Sequence, residues 1–227
     1  EDYLGMLIEE SQYPLYANII GEISGIQSNL PVTLAEYQFY REKDIEDYLT
    51  LLSQVTGYLQ EAGEYLKAQS KAGLYVTDAA ADTAAKQIDD FLKESGEKNI
   101  LSATFKERVN AVSGLSKEQK TIYKKQNKKL LNQFVYPAFR SFKKTILSLK
   151  GTGKNSGGVC NLKNGKKYYR LVLKEQTGTN KTVSQLLSSV TDRLQSSVKQ
   201  MVNLIQSDES LQKKFYNFDP VLTSPKK

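Results

Sequence analysis

Between residues 45 and 66 the apolar side chains Ile45, Tyr48, Leu49, Leu52, Val55, Leu59, Ala62 and Leu66 recur at spacings of three and four. A period of 3.6 puts them all on one stripe. The spacing therefore predicts one long amphipathic helix whose single apolar side organises whatever packs on it. Asp44 is placed to cap its start, with Glu46 and Asp47 favouring the positive end of the helix. Gly57 and Gly63 weaken it locally, and Gly73 ends it in "KAGLY".

The same pattern recurs along the chain. Thr77 reads as the cap of a second helix reaching about Glu94, with Ala79, Ala80, Ala84, Ile88, Phe91 and Leu92 inward. A third starts after Ser102 and buries Phe105 and Val109. Thr33 and Glu36 have capping-box spacing, so a short helix is expected from Leu34, with Pro31 holding Leu30 extended. Ser116 and Gln119 open a long helix ending near Leu149 and Gly151. Its stripe is Ile122, Gln126, Leu130, Phe134, Ala138, Phe142, Ile146 and Leu149. Pro137 lies inside it and predicts a kink or break. Thr182 and Gln185 open a last long helix, whose Leu187, Val190, Leu194, Val198, Met201 and Ile205 are expected to be buried. "SDESLQKKF" starts another short helix, and the tail "NFDPVLTSPKK" has no core to join, as in a truncated chain. The expected fold is all-α: a single helical domain over 1–227, an irregular multi-helix bundle with two long helices, one kinked at Pro137, and at most a small β-hairpin near 159–168.

Two loop segments stand apart. "GTGKNSGG" (151–158) reads as an internal flexible glycine-rich loop; it lacks the Gly-Lys-Ser/Thr ending of a phosphate loop. "NLKNGKKYYRLVL" follows. Asn164-Gly165 is a tight-turn signal, open to a minimal hairpin, an extended arm, or a turn into a helix capped by Gly178. Tyr168 and Tyr169 point in different directions under any backbone, so at most one packs fully. Asn164, Gly165, Lys166, Tyr168 and Tyr169 are the candidate substrate-binding residues, the exposed ring and nearby lysine offering a hydroxyl and a cation.

The chain contains no histidine and one cysteine, Cys160. That excludes Ser-His-Asp triads, Cys-His dyads and HExxH zinc sites within these residues. No internal disulfide is possible, and no EF-hand-like run supplies an all-oxygen site. Four Ser-x-x-Lys pairs, Ser95/Lys98, Ser141/Lys144, Ser196/Lys199 and Ser210/Lys213, lack the companion motifs of a Ser–Lys hydrolase. The adjacent acids Glu9/Glu10 and Asp89/Asp90 do not share a helix face. Tyr48, Tyr58 and Tyr65 are spaced as a core edge. Net charge is +7, yet of 32 basic residues only Arg41, Arg108, Arg140, Arg170 and Arg193 carry the guanidinium fork that nucleic-acid readers favour. The lysines at 117, 120, 124, 125, 128 and 129 read as a solvated face, and no nucleic-acid partner is expected. No segment approaches the ~18 apolar residues of a membrane span. "EDYLGMLIEESQ" is not a signal peptide, so any leader is absent or removed.

The order of "GIQSNLPVTLAEYQFYREKDIEDYL", "AGL", "YPAF", "GTGKNSGGVCNLKNGKKYY" and "TGTNKTVSQLL" resembles the bacterial domain-of-unknown-function family 885, in its clostridial branch, from about Gly21 onward. The resemblance implies a helical protein at least twice as long, with a His-Glu-x-x-His-like zinc peptidase motif in its C-terminal half and, in many members, export or lipoprotein signals. The expectation is then a non-catalytic N-terminal region that needs no cofactor itself. Zinc would belong to the missing half, the partners would be that half and a peptide, and the place would be outside the cytoplasm or lipid-anchored. The segment around Leu162–Tyr168 would offer peptide an extended edge. Leu162-Lys163-Asn164 replaces the family's Leu-Pro before Gly-Lys. Gln185 and Leu187 stand where many members have an acid and a histidine, so no polar role carries over there. The alternative is a helical binding or scaffold module of a surface protein that touches anionic partners.

Overall fold

A computed structural model describes residues 2–94, 96–155 and 158–217, without the side chain of residue 2. The regular elements among the described residues are all helices, with no strand among them. The chain divides into two compact units, Glu1–Gly165 and Lys166–Lys227.

In the first unit α1 (Asp2–Glu10) precedes an irregular stretch. α2 (Ile26–Glu36) takes in Pro31, so the expected start at Leu34 is corrected. The bias against helix before proline yields because Gln27, Pro31, Leu34 and Ala35 form one buried face. α3 (Glu42–Lys71) buries the stripe that organises the fold, with Leu52 and Leu66 fully inaccessible. Arg41, not Asp44, is its N-cap residue. Asp44 sits a turn inside and reaches back, accepting from Tyr40 N at 2.8 Å and Arg41 N at 3.0 Å. Those hydrogen bonds, that from Tyr40 first, hold its carboxyl below the usual range.

α4 (Asp78–Lys93) is capped by Thr77, whose Oγ1 accepts from Ala80 N at 3.2 Å. α5 (Ile100–Ala111) starts three residues earlier than expected because buried Asn99 caps it, accepting from Leu101 N at 3.1 Å. Ser116 and Gln119 form the anticipated capping box of α6 (Lys117–Leu130). After a π-helical turn at Leu131–Val135, α7 (Tyr136–Ser148) completes the long run. α3 packs against α6, the π-turn and α7; α4 packs against α7 and α2; α5 packs against α2 and α6. Phe39, Tyr48 and Phe105 meet at centroid distances of 5.4 to 5.5 Å. Lys143 to Asp89 and Lys150 to Asp82, both 2.6 Å, tie α7 and the turn just after it to α4.

The glycine-rich loop is tethered where it is described. Lys154 N donates to Gly73 O at 2.9 Å and Gly151 N to Asp78 Oδ1 at 2.7 Å. Gly153 passes so close that an added Cβ would lie 2.5 Å from Tyr75 O.

In the second unit α8 (Gly165–Thr177) ends at Gly178 with φ 63°, α9 (Val183–Ser207) starts at the Thr182/Gln185 capping box, and α10 (Glu209–Tyr216) packs on α9. The stripe expected to be buried along α9 is not. Leu187, Val190 and Leu194 are 63%, 64% and 63% exposed. Periodicity records a face built to be covered; these three residues are left uncovered, while Ile205 at the α10 end is half-buried.

Candidate functional site

The segment singled out in sequence forms no hairpin. Val159–Asn161 is a single 3₁₀ turn, Asn164 takes a left-handed φ of 60°, and Gly165 begins α8. Gly165 N donates to Leu162 O at 2.8 Å. At Gly165 any Cβ would overlap the Val159 carbonyl oxygen, so a strand register that carries side chains through this position has no room. Tyr16 donates to Lys163 O at 2.7 Å and fixes the turn. An extended edge running to Tyr168 is therefore corrected to a turn followed by helix. The five candidate residues fall on either side of the boundary between units: Asn164 and Gly165 close the first, while Lys166, Tyr168 and Tyr169 open the second. Tyr168 is buried, on the same helix face as Leu171, and Tyr169 is 47% exposed about 100° around the helix. Lys166 is exposed.

A second feature escaped the sequence reading. The buried positions Asn127, Leu131, Val135 and Phe139 recur every four residues. In an α-helix each such step drifts about 40° around the axis. The wider i→i+5 turn at Leu131–Val135 absorbs that drift and keeps the stripe facing α3. This is how the chain accommodates Pro137, and it moves the first half of the expected stripe by one residue. Ile122 and Gln126 face solvent in place of Tyr123 and Asn127. Phe134 O accepts from Thr56 Oγ1 of α3 at 3.1 Å.

Beside this turn α3 and α7 part to leave a groove of about 620 Å³. Leu59, Pro137, Ala138 and Phe142 give it an apolar floor. Thr56, Gln60, Gln133, Ser141 and Thr145 supply neutral hydrogen-bonding groups. Glu64 and Lys67 pair at 2.7 Å on its rim. Gly63 holds it open: a Cβ there would approach Thr145 Cγ2 at 3.6 Å, an ordinary contact that narrows the space without a clash. Amide and hydroxyl groups over an apolar floor suit an extended, uncharged chain of peptide groups. None of the groove residues can serve as an imidazole base or a thiolate. Pro137 inside a helical run was the visible signal; Thr56 and Gly63 gave none, because their roles depend on a helix distant in sequence.

The donor set does not fit zinc. Structural and catalytic zinc sites draw on clustered imidazoles and thiolates. The chain has no histidine, its one cysteine is exposed, and no three His, Cys, Asp or Glu residues cluster among the described residues.

Comparison with curated proteins gives no match. A solved structure described as "the putative lipoprotein from Colwellia psychrerythraea" is similar at 22% identity and a TM-score of 0.71 over 83% of this chain. The chain spans 32% of that protein's length. The family described as bacterial protein of unknown function, number 885, matches residues 2–223. With that match covering nearly all of its length, the chain belongs to this bacterial family of unknown function.

Proposed function

We propose that this chain is the non-catalytic, N-terminal helical region of a bacterial zinc-dependent peptidase and forms part of its substrate cleft. The α3–α7 groove carries this reading, because it offers hydrogen-bonding groups over an apolar floor and neither an imidazole nor a thiolate. The peptidase activity itself rests on the family resemblance. The exposed apolar face of α9 and the 32% coverage of the similar structure support a longer protein whose remaining part packs on this one.

In this division of labour the chain binds and orients. Gln60 and Gln133 pair with backbone amides of the peptide, while Pro137 and Phe142 support its side chains. Separately from the groove, Tyr169 and Lys166 offer a hydroxyl and a cation at the start of α8. Zinc and the residues that hold it would come from outside this chain, whose donors do not fit the metal. A lipid-anchored or exported location is supported by the description of the similar structure. Among the described residues no helix is long and apolar enough to cross a membrane.

Two assays test this. The longer protein should hydrolyse peptides in a zinc-dependent manner and this chain alone should not; turnover by this chain, or none by the longer protein, would defeat the reading. Gly63→Ala should weaken peptide binding to this chain while Gly57→Ala, on α3 but outside the groove, should leave it unchanged. Equal binding by both variants would remove the groove from the proposal.

A further inference from the structure

Between α5, α6 and the turn at Gly96–Lys98 lies a second cavity, of about 310 Å³, that a peptide groove does not use. Its floor is Phe105, only 1% exposed. Lys106 from α5 and Lys124, Lys125 and Lys128 from α6 line it, with Glu97 as the single acid. A solvated lysine face spreads its charges outward. Here four ammonium-bearing side chains from two helices converge on one apolar-floored space. Lys124 and Lys128 stand at i and i+4, where like charges repel.

Two of the four have protein partners. Lys106 pairs with Glu97 at 2.9 Å, and Lys124 donates to Asn110 Oδ1 at 2.7 Å. Lys125 and Lys128 have no side-chain partner among the described residues. The field of the cluster is visible at Glu97, whose carboxyl is held below its usual range first by Lys106 and then by Lys128 and Lys124. An independent observation points the same way. Asn127 also lines the cavity, is 3% exposed, and its Oδ1 is buried with no donor. A buried acceptor left unmet is unfavourable, and native structures rarely leave one so. The cavity thus sets four ammonium groups against one carboxylate and holds an acceptor without a donor.

We infer that this cavity binds a small oxyanion that also carries a hydroxyl, such as a phosphate monoester or a hydroxycarboxylate. Lys125 and Lys128 take the charge, Asn127 accepts from the hydroxyl, and the carbon skeleton lies on Phe105. Ser102 and Thr121 complete the lining with hydroxyls that can donate to the remaining anion oxygens. The volume suits a three- or four-carbon ligand. The site stands independently of the peptidase reading.

The test titrates the 227-residue chain at low salt with glycerol 3-phosphate, malate, propyl phosphate and glycerol, following backbone amide shifts at Ser102, Phe105 and Asn127. Glycerol 3-phosphate or malate should bind and glycerol should not; whichever binds identifies the anion class. Lys125→Gln and Lys128→Gln should each weaken binding about tenfold, as expected for loss of one charge-assisted contact. Glu97→Gln, which removes the competing charge, should tighten it. Propyl phosphate, lacking only the hydroxyls, should bind several-fold more weakly than glycerol 3-phosphate. No saturable shift with either hydroxyl-bearing anion would overturn the site. So would affinities indifferent to both lysine changes. Equal binding of the two phosphates would overturn the role of Asn127. The lysines are exposed, so their replacement tests binding without unfolding the chain.

Discussion

Thr56→Val isolates the contact that joins the π-turn to α3. The substitution keeps the shape of the side chain and removes the hydroxyl that donates to Phe134 O at 3.1 Å. An intramolecular hydrogen bond contributes about 1 kcal/mol net, and a fully buried carbonyl left unpaired costs about 1–3 kcal/mol. Both residues are only partly buried and Thr56 borders the groove, so water can reach the carbonyl and the lower end applies. The expected loss is about 1 kcal/mol, or about 2–4 °C in the melting temperature for a folding unit of this size. Thr56→Ser keeps the donor and gives up one partly exposed methyl, so it should lose about half as much. Far-ultraviolet circular dichroism through thermal and urea unfolding measures both. A Thr56→Val chain as stable as the parent, or a Thr56→Ser chain as unstable as Thr56→Val, would show that Thr56 does not secure the turn.

Further expectations concern other parts of the fold. Gly57→Ala should raise stability by up to about 1 kcal/mol, since its Cβ meets nothing within 4 Å and alanine is the better helix former; a urea midpoint reads it. Asn99→Ala should cost at least about 2 kcal/mol by the same measurement, because it removes a cap and also uncovers Phe91 O and Glu94 O, which its side chain bonds at 3.1 Å. Burial raises the Tyr75 phenol from 10.0 to about 12 while its hydroxyl donates to Ile146 O at 2.7 Å. A raised folded-state value means its contribution is complete below pH 10 and is lost as pH rises from 10 toward 12. Tyr75→Phe should therefore flatten that part of the alkaline stability profile. Leu187→Ser with Leu194→Ser should change the stability of this chain by less than about 0.5 kcal/mol, since both positions are exposed in it, yet destabilise a longer protein that covers α9.

The helices were readable because each carries local punctuation. Thr77, Ser116 with Gln119, and Thr182 with Gln185 act within one turn of the chain, and all three cap as their spacing implies. Asp44 misled because an acid three residues inside a helix has the same local composition as a cap. Pro31 misled because the preference of the residue before proline is weaker than the burial of a four-residue face. The α6 stripe was displaced by one residue because a π-turn has no composition of its own; only the proline hinted at it. Leu187 to Met201 show the opposite limit. Their pattern states that a face is to be buried and says nothing of where the covering surface comes from.

Asn164 and Gly165 stand side by side and answer to different constraints. The first needs a residue that tolerates a left-handed backbone; the second needs the absence of a side chain, since the Val159 carbonyl occupies its place. Substitution here is accordingly directional. Glycine at 164 satisfies both positions, whereas asparagine at 165 satisfies neither, so exchanging the two residues leaves composition unchanged and destroys the turn. Natural variation at this dipeptide should run toward Gly-Gly and away from Gly-Asn. Any drift in the second residue would have to be preceded by a shift of the 3₁₀ turn beneath it.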